Sequence, residues 1–191
     1  MSRKALIYAL ASIVGLGTTA AYSKECLGIS FPEQAQSESA PLVLNGLGIR
    51  QATIFNVNVY VAALYLTKSS SDAKAILAAS GPYELILQFV RSVSSADINK
   101  GWTEGFNRNA KGQLQALQDR IGTLTHWMQD IESGQRLDFA FNPGVGLRVN
   151  VNGVPKGTIS GDDFGKAFLS IWLGVPPNVE VKTGLLGGKC D

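Results

Sequence analysis

Residues 56–66, Asn56-Val57-Asn58-Val59-Tyr60-Val61-Ala62-Ala63-Leu64-Tyr65-Leu66, constrain the fold more than any other stretch of the chain. The run opens by alternating, with Val57, Val59 and Val61 on one face, and then becomes apolar on both faces. β-Branched and aromatic residues at period two make a strand. A strand that is apolar on both sides reads as a central one, covered on each face.

Other elements arrange themselves around it. Leu42-Val43-Leu44 runs into Asn45-Gly46, two residues that tolerate positive φ, so a hairpin is expected there, with Gly48–Ile54 as the return strand. The polar segment 24–40 leads into this pair and has room for one edge strand. Residues 71–77 open a short helix that Ser71 or Asp72 can cap, and Gly81-Pro82 breaks the chain before a strand over Tyr83–Val90. A helix is expected from Ser94 to about Asn109. Another is expected over 113–132, where Leu114, Leu117, Ile121, Leu124, Met128 and Ile131 form one apolar stripe at spacings of 3, 4, 3, 4 and 3. Strands over 137–141, 147–151 and 154–160 follow, separated by Asn142-Pro143-Gly144 and Asn152-Gly153. A last helix over 161–173 stops at Gly174, ahead of Pro176-Pro177. The order strands, helices, strands, helix predicts an α+β domain, an antiparallel sheet with helices packed on one side.

The N-terminus has a different character. Arg3 and Lys4 precede the apolar run Ala5–Gly17, and small residues follow, with Ala21 and Ser23 suited to positions −3 and −1 of a cleavage site. This is the layout of a secretory signal peptide over residues 1–23, leaving a domain over 24–191 and a periplasmic or secreted location. The alternative is an uncleaved anchor, but the run falls short of the roughly 20 residues a spanning helix needs, so no membrane span is expected after leader removal. The 17 Lys and Arg of the whole chain, less Arg3 and Lys4, leave 15 basic against 15 acidic residues. That neutrality argues against a nucleic-acid partner, which calls for a basic footprint. Cys26 and Cys190 are the two cysteines of the chain and bracket nearly all of the mature domain. In an oxidising compartment they can pair; the alternative is two free thiols in the tails.

Several chemistries find no support. One histidine, His126, and two remote cysteines make no zinc site of usual spacing. His126 lies off its helix's apolar stripe, beside Asp119, Gly122 and Gln129, and reads as a surface residue. Asp162-Asp163 opens a helix, where negative charge suits the dipole. Gly46-Leu47-Gly48 lacks the lysine and the following helix of a phosphate loop, so no cofactor is expected. Trp102, Trp127 and Trp172 occupy helical positions and read as core.

Arg50 is the charged residue that stands out. It shares a strand face with Ala52 and Ile54, and a guanidinium on a partly apolar face wants an anion. Tyr60 shares its face with Ala62 and Leu64, and a buried phenol wants a hydrogen-bond partner. If the two strands are neighbours, both side chains can converge on one carboxylate. The alternative is an arginine snorkelling to water and an ordinary core tyrosine.

Three segments, Leu44-Asn45-Gly46-Leu47-Gly48-Ile49-Arg50, Val59–Leu66 and Phe164–Gly174, resemble the chalcone isomerase-like family, and more closely its small exported bacterial branch, over about residues 41–188. The resemblance implies an open-faced β-sandwich, with a large antiparallel sheet, a layer of helices and a ligand cleft between them. Members that act as enzymes close a chalcone to a flavanone. Their arginine, strand threonine, helix tyrosine and asparagine, and late-helix threonine fall here on Arg50, Tyr60, Ile98, Gly105 and Ile171 respectively. Only the arginine matches. Another branch binds fatty acids without chemistry, an arginine and a tyrosine holding the carboxylate. Arg50 and Tyr60 match that pair, and Ile98 and Ile171 suit an apolar channel. The leading expectation is therefore a binder of a fatty acid or similar amphipathic carboxylate through Arg50, Tyr60, Ile98 and Ile171. The alternatives are an isomerase or intramolecular lyase acting on an unknown enone, or an envelope interaction module.

Overall fold

The structure, a computed structural model, describes residues 22–52 and 55–190. The expected leader lies outside the described residues except at Tyr22 and Ser23, and so do Thr53 and Ile54 of the expected return strand. Strand β1 (Ser23–Cys26) pairs with β2 (Ile29–Pro32) in a two-stranded ribbon. The main sheet has seven strands in sequence order: β3 (Gln34–Gln36), β4 (Pro41–Ala52), β5 (Val57–Leu66), β6 (Tyr83–Phe89), β7 (Arg136–Asn142), β8 (Gly146–Val151) and β9 (Val154–Ile159). Every pairing in it is antiparallel. Helices α1 (Ala73–Ala78), α2 (Ser95–Asn109), α3 (Leu114–Trp127), α4 (Asp162–Leu173) and α5 (Val179–Leu185) complete the α+β domain. None of the described helices is long and apolar enough to cross a membrane.

The reading of residues 56–66 as a covered central strand holds. Tyr60, Ala62, Leu64 and Leu66 of β5 face the helices in the main core, while Val61, Ala63 and Tyr65 face a second apolar cluster on the other side. The ribbon closes that second cluster with Cys26 and Phe31, and the Tyr65 hydroxyl donates to the Pro32 carbonyl at 3.0 Å. Cys26 and Cys190 are joined in a disulfide, their Cα atoms 5.8 Å apart, so the C-terminal tail is tied to the ribbon.

Asn45-Gly46 is not a hairpin. β4 runs straight through it with a register shift between Leu44 and Gly46. The Asn45 amide group donates to Ser70 O and Leu185 O and accepts from Ser70 N, which satisfies the irregularity from outside the strand. The glycines of this segment serve close approach instead of a turn. A Cβ on Gly46 or Gly48 would run into the backbone of α5 at Gly184 and Val181. Local turn chemistry is overridden here by the packing of a helix that Pro176-Pro177 hides in the sequence.

Two further boundaries move. The helix expected over 113–132 ends at Trp127, because Met128 adopts an extended backbone and Ile131 bridges to Val93, exchanging N–H···O bonds of 2.8 and 2.9 Å. Met128 and Ile131 stay buried, so the apolar stripe marks core correctly while overstating the helix. Asp163 does more than complement the α4 dipole. It receives both terminal nitrogens of Arg120, each at 2.7 Å, and so ties α3 to α4. His126 is exposed, as read from the sequence. Trp102 and Trp172 are buried, and Trp127 packs against the main core from a half-buried position.

Candidate functional site

A cavity of about 580 Å³ lies between one end of the sheet and the α2–α4 layer. Volumes of this order suit small-molecule ligands. Arg50 and Ala52 of β4, Val59 and Tyr60 of β5 and Phe89 of β6 form its sheet wall. Ile98 and Trp102 of α2 and Ile171 and Trp172 of α4 form its helix wall, and Arg91, Lys100 and Arg108 stand among the residues nearer solvent. The structure thus brings Arg50, Tyr60, Ile98 and Ile171 to one cavity, although they come from four different elements.

Backbone register places the first two. Arg50 and Tyr60 are direct partners in the β4–β5 ladder. Side chains directly opposite in an antiparallel pair share a face and touch. Immediately beyond, the ladder shifts from Arg50–Tyr60 to Gln51–Asn58, leaving Val59 as an extra residue that also lines the cavity. Such bulges re-aim side chains at sheet ends. Asn178 fixes the β4 edge here, its side chain donating to Ile49 O at 3.1 Å and accepting from Gln51 N at 3.3 Å.

Arg50 is half-buried, and its side chain has no hydrogen bond or ion pair with any described residue. Tyr60 is 9% exposed, and its hydroxyl accepts from Trp172 Nε1 at 3.0 Å. Burial pushes the Tyr60 phenol up to about 12, against smaller opposing effects of the Trp172 hydrogen bond and the Arg50 charge. The phenol is therefore neutral at physiological pH, a hydrogen-bonding group and not a phenolate.

The inner end of the cavity is aromatic. Tyr60 meets Phe89 edge-on with centroids 5.4 Å apart, and Trp102 and Trp172 meet at 5.7 Å. Ile98 and Ile171 are buried in the same core cluster as these rings. Gly105 does not line the cavity, and a Cβ there would sit 2.6 Å from the Ile171 side chain. Any side chain at 105 therefore requires Ile171 to shift. Reading the tryptophans as core missed their place on this wall. The available signal was the indole N–H, a donor that seeks a partner when buried.

A second, smaller cavity of about 180 Å³ lies between α1, α4 and the β5–β6 end, lined mainly by apolar side chains with Lys68 and Lys166. Its Tyr83 hydroxyl is already committed to Gly165 O at 2.7 Å.

Comparison with known proteins converges on one fold. A family model described as chalcone isomerase-like matches residues 23–187. Among solved structures, the chain is similar to the crystal structure of a fatty-acid binding protein of Arabidopsis thaliana. The TM-score is 0.70 at 16% sequence identity, over 86% of this chain and 96% of that one. No curated protein matches the sequence.

Proposed function

The chain belongs to the chalcone isomerase-like family, and from that premise we propose that it binds a fatty acid or similar amphipathic carboxylate between the sheet and the α2–α4 layer. The pairing of Arg50 with Tyr60 on the cavity wall carries this reading. A guanidinium beside a neutral phenol, both lacking an acceptor among the described residues, is complementary to a carboxylate, which only accepts. Ile98, Ile171 and Phe89 offer the chain an apolar lining. Each methylene buried there contributes about 0.8 kcal/mol, so the tail supplies most of the affinity and Arg50 the direction. The structural neighbour from Arabidopsis thaliana is a fatty-acid binding protein, which supports the same ligand class.

The isomerase alternative ranks lower, since isoleucines at 98 and 171 and a glycine at 105 offer no hydroxyl or amide to a developing enolate. An interaction module with nothing in its cleft fits poorly with a cavity of about 580 Å³. The Cys26–Cys190 disulfide and the leader-like N-terminus support export to the periplasm or beyond. Native mass spectrometry of the purified protein tests the proposal. Mass increments that extract as long-chain acids are the expected result. A ligand-free protein that also fails to take up added dodecanoate would rule it out.

A further inference from the structure

Resting on that reading, we infer that Trp172 fixes Tyr60 as a hydrogen-bond donor, and that a buried wall left with donors alone selects an ionised acid over an alcohol of the same length. Six side chains of the cavity wall are buried: Tyr60, Phe89, Ile98, Trp102, Ile171 and Trp172. Three of them carry polar atoms. An indole N–H can donate and cannot accept, so the 3.0 Å bond between Trp172 and Tyr60 runs one way, into the phenol oxygen. The Tyr60 proton is directed elsewhere, and it meets no acceptor among the described residues. Trp102 Nε1 is buried on the same wall and also lacks a partner. Arg50 adds further donors beside Tyr60.

The side-chain acceptors that line the cavity away from Tyr60, those of Ser92, Ser94, Asp97 and Glu104, stand at its exposed rim and not on the buried wall. Asp97 Oδ2 accepts from the Ser94 hydroxyl at 2.8 Å, and Glu104 lies 3.6 Å from Arg108. The remaining charges of the lining, Arg91, Lys100 and Arg108, are cations. A carboxylate brings two oxygens with several lone pairs and can receive from the neighbouring Tyr60 and Arg50 together, with Trp102 Nε1 a further unpaired donor on the same wall. An alcohol brings one acceptor and a proton that finds no buried acceptor, and an orphaned buried donor is costly. Trp172 acts through Tyr60 and is a positioning residue. Without its N–H, the phenol oxygen is free to accept the alcohol's proton.

The test is calorimetric titration of the purified full chain with dodecanoate and dodecan-1-ol at pH 8. Wild type is expected to prefer the acid by at least about tenfold, and Trp172→Phe to lose about a tenfold share of that preference. A merely structural role for Trp172 weakens both ligands alike and leaves the ratio unchanged, which would overturn the inference. If Trp172→Phe does not fold, Trp102→Phe decides: several-fold weaker dodecanoate binding supports the donor wall, and unchanged binding refutes it. Equal wild-type affinity for acid and alcohol overturns the inference and leaves lipid binding intact. Binding of neither removes the proposed function itself.

Discussion

Arg50 and Tyr60 face each other as register partners across the β4–β5 ladder, so a cation and a phenol stand side by side where the sheet meets the cavity. Strand pairing sets their separation, and neither side chain has to be positioned by a loop. The Trp172 N–H then holds the phenol from behind, out of the α4 helix. Side chains held on rigid elements of this kind keep their arrangement without a ligand to order them.

Removing the phenol oxygen strands its neighbour. Tyr60→Phe keeps the ring and its edge-on contact with Phe89 but leaves Trp172 Nε1 buried without an acceptor. The expected cost is about 1–3 kcal/mol in urea unfolding, with roughly tenfold weaker dodecanoate binding. A variant as stable as wild type would mean that the indole finds another acceptor.

Alkaline titration reads the same group. Burial raises Tyr60 and Tyr65 to about 12, while the unfolded chain's tyrosines titrate near 10. Between those values the unfolded state loses protons that the folded state keeps, so stability is intact below pH 10 and falls as pH rises toward 12. Melting temperature measured from pH 9 to 12 is expected to drop, and the drop to be shallower in Tyr60→Phe. A slope identical to wild type would contradict the burial of this hydroxyl.

The disulfide spans 164 residues of sequence. In the chain-entropy view, opening a loop of that length costs on the order of 5 kcal/mol. Cys190→Ser is expected to lower the urea midpoint markedly, and added reductant to do the same to wild type while leaving Cys190→Ser unchanged. Reductant insensitivity in wild type would contradict the bond.

The approach of α5 to β4 is set by hydrogen atoms where side chains usually stand. Gly48→Ala places a methyl against the backbone of Val181, which has no flexible end to move. Overpacking of this kind costs about 1–3 kcal/mol, read as a lower urea midpoint. A neutral effect would mean that α5 shifts freely.

How much of this was legible in the sequence depended on whether the signal was local. The switch from alternating to wholly apolar in 56–66 marked a strand covered on both sides, and the single apolar stripe from Leu114 to Ile131 marked core; but the bulge at Val59 turns that side chain to the main core while Val61 faces the second cluster, so Val57, Val59 and Val61 do not share the one face expected of them. Asn45-Gly46 misled because its turn preference is weaker than the packing of α5, an element concealed behind Pro176-Pro177 and only seven residues long. The helix over 113–132 came out too long because an apolar stripe cannot distinguish a helical Ile131 from one bridged to Val93. Arg50 and Tyr60 stood out as a cation and a phenol on apolar faces. Trp172 did not, since a partner 112 residues away leaves no local trace.

Isothermal titration of dodecanoate into wild type and Arg50→Gln, at pH 8 and low salt, tests the central claim most directly. Glutamine keeps much of the side chain's length and removes the charge. A charge-assisted hydrogen bond of this kind is worth about 1.5–3 kcal/mol, so wild type should bind and the variant should bind at least about tenfold more weakly. Equal affinity in the two proteins would show that Arg50 does not hold the acid and that the cavity serves some other purpose.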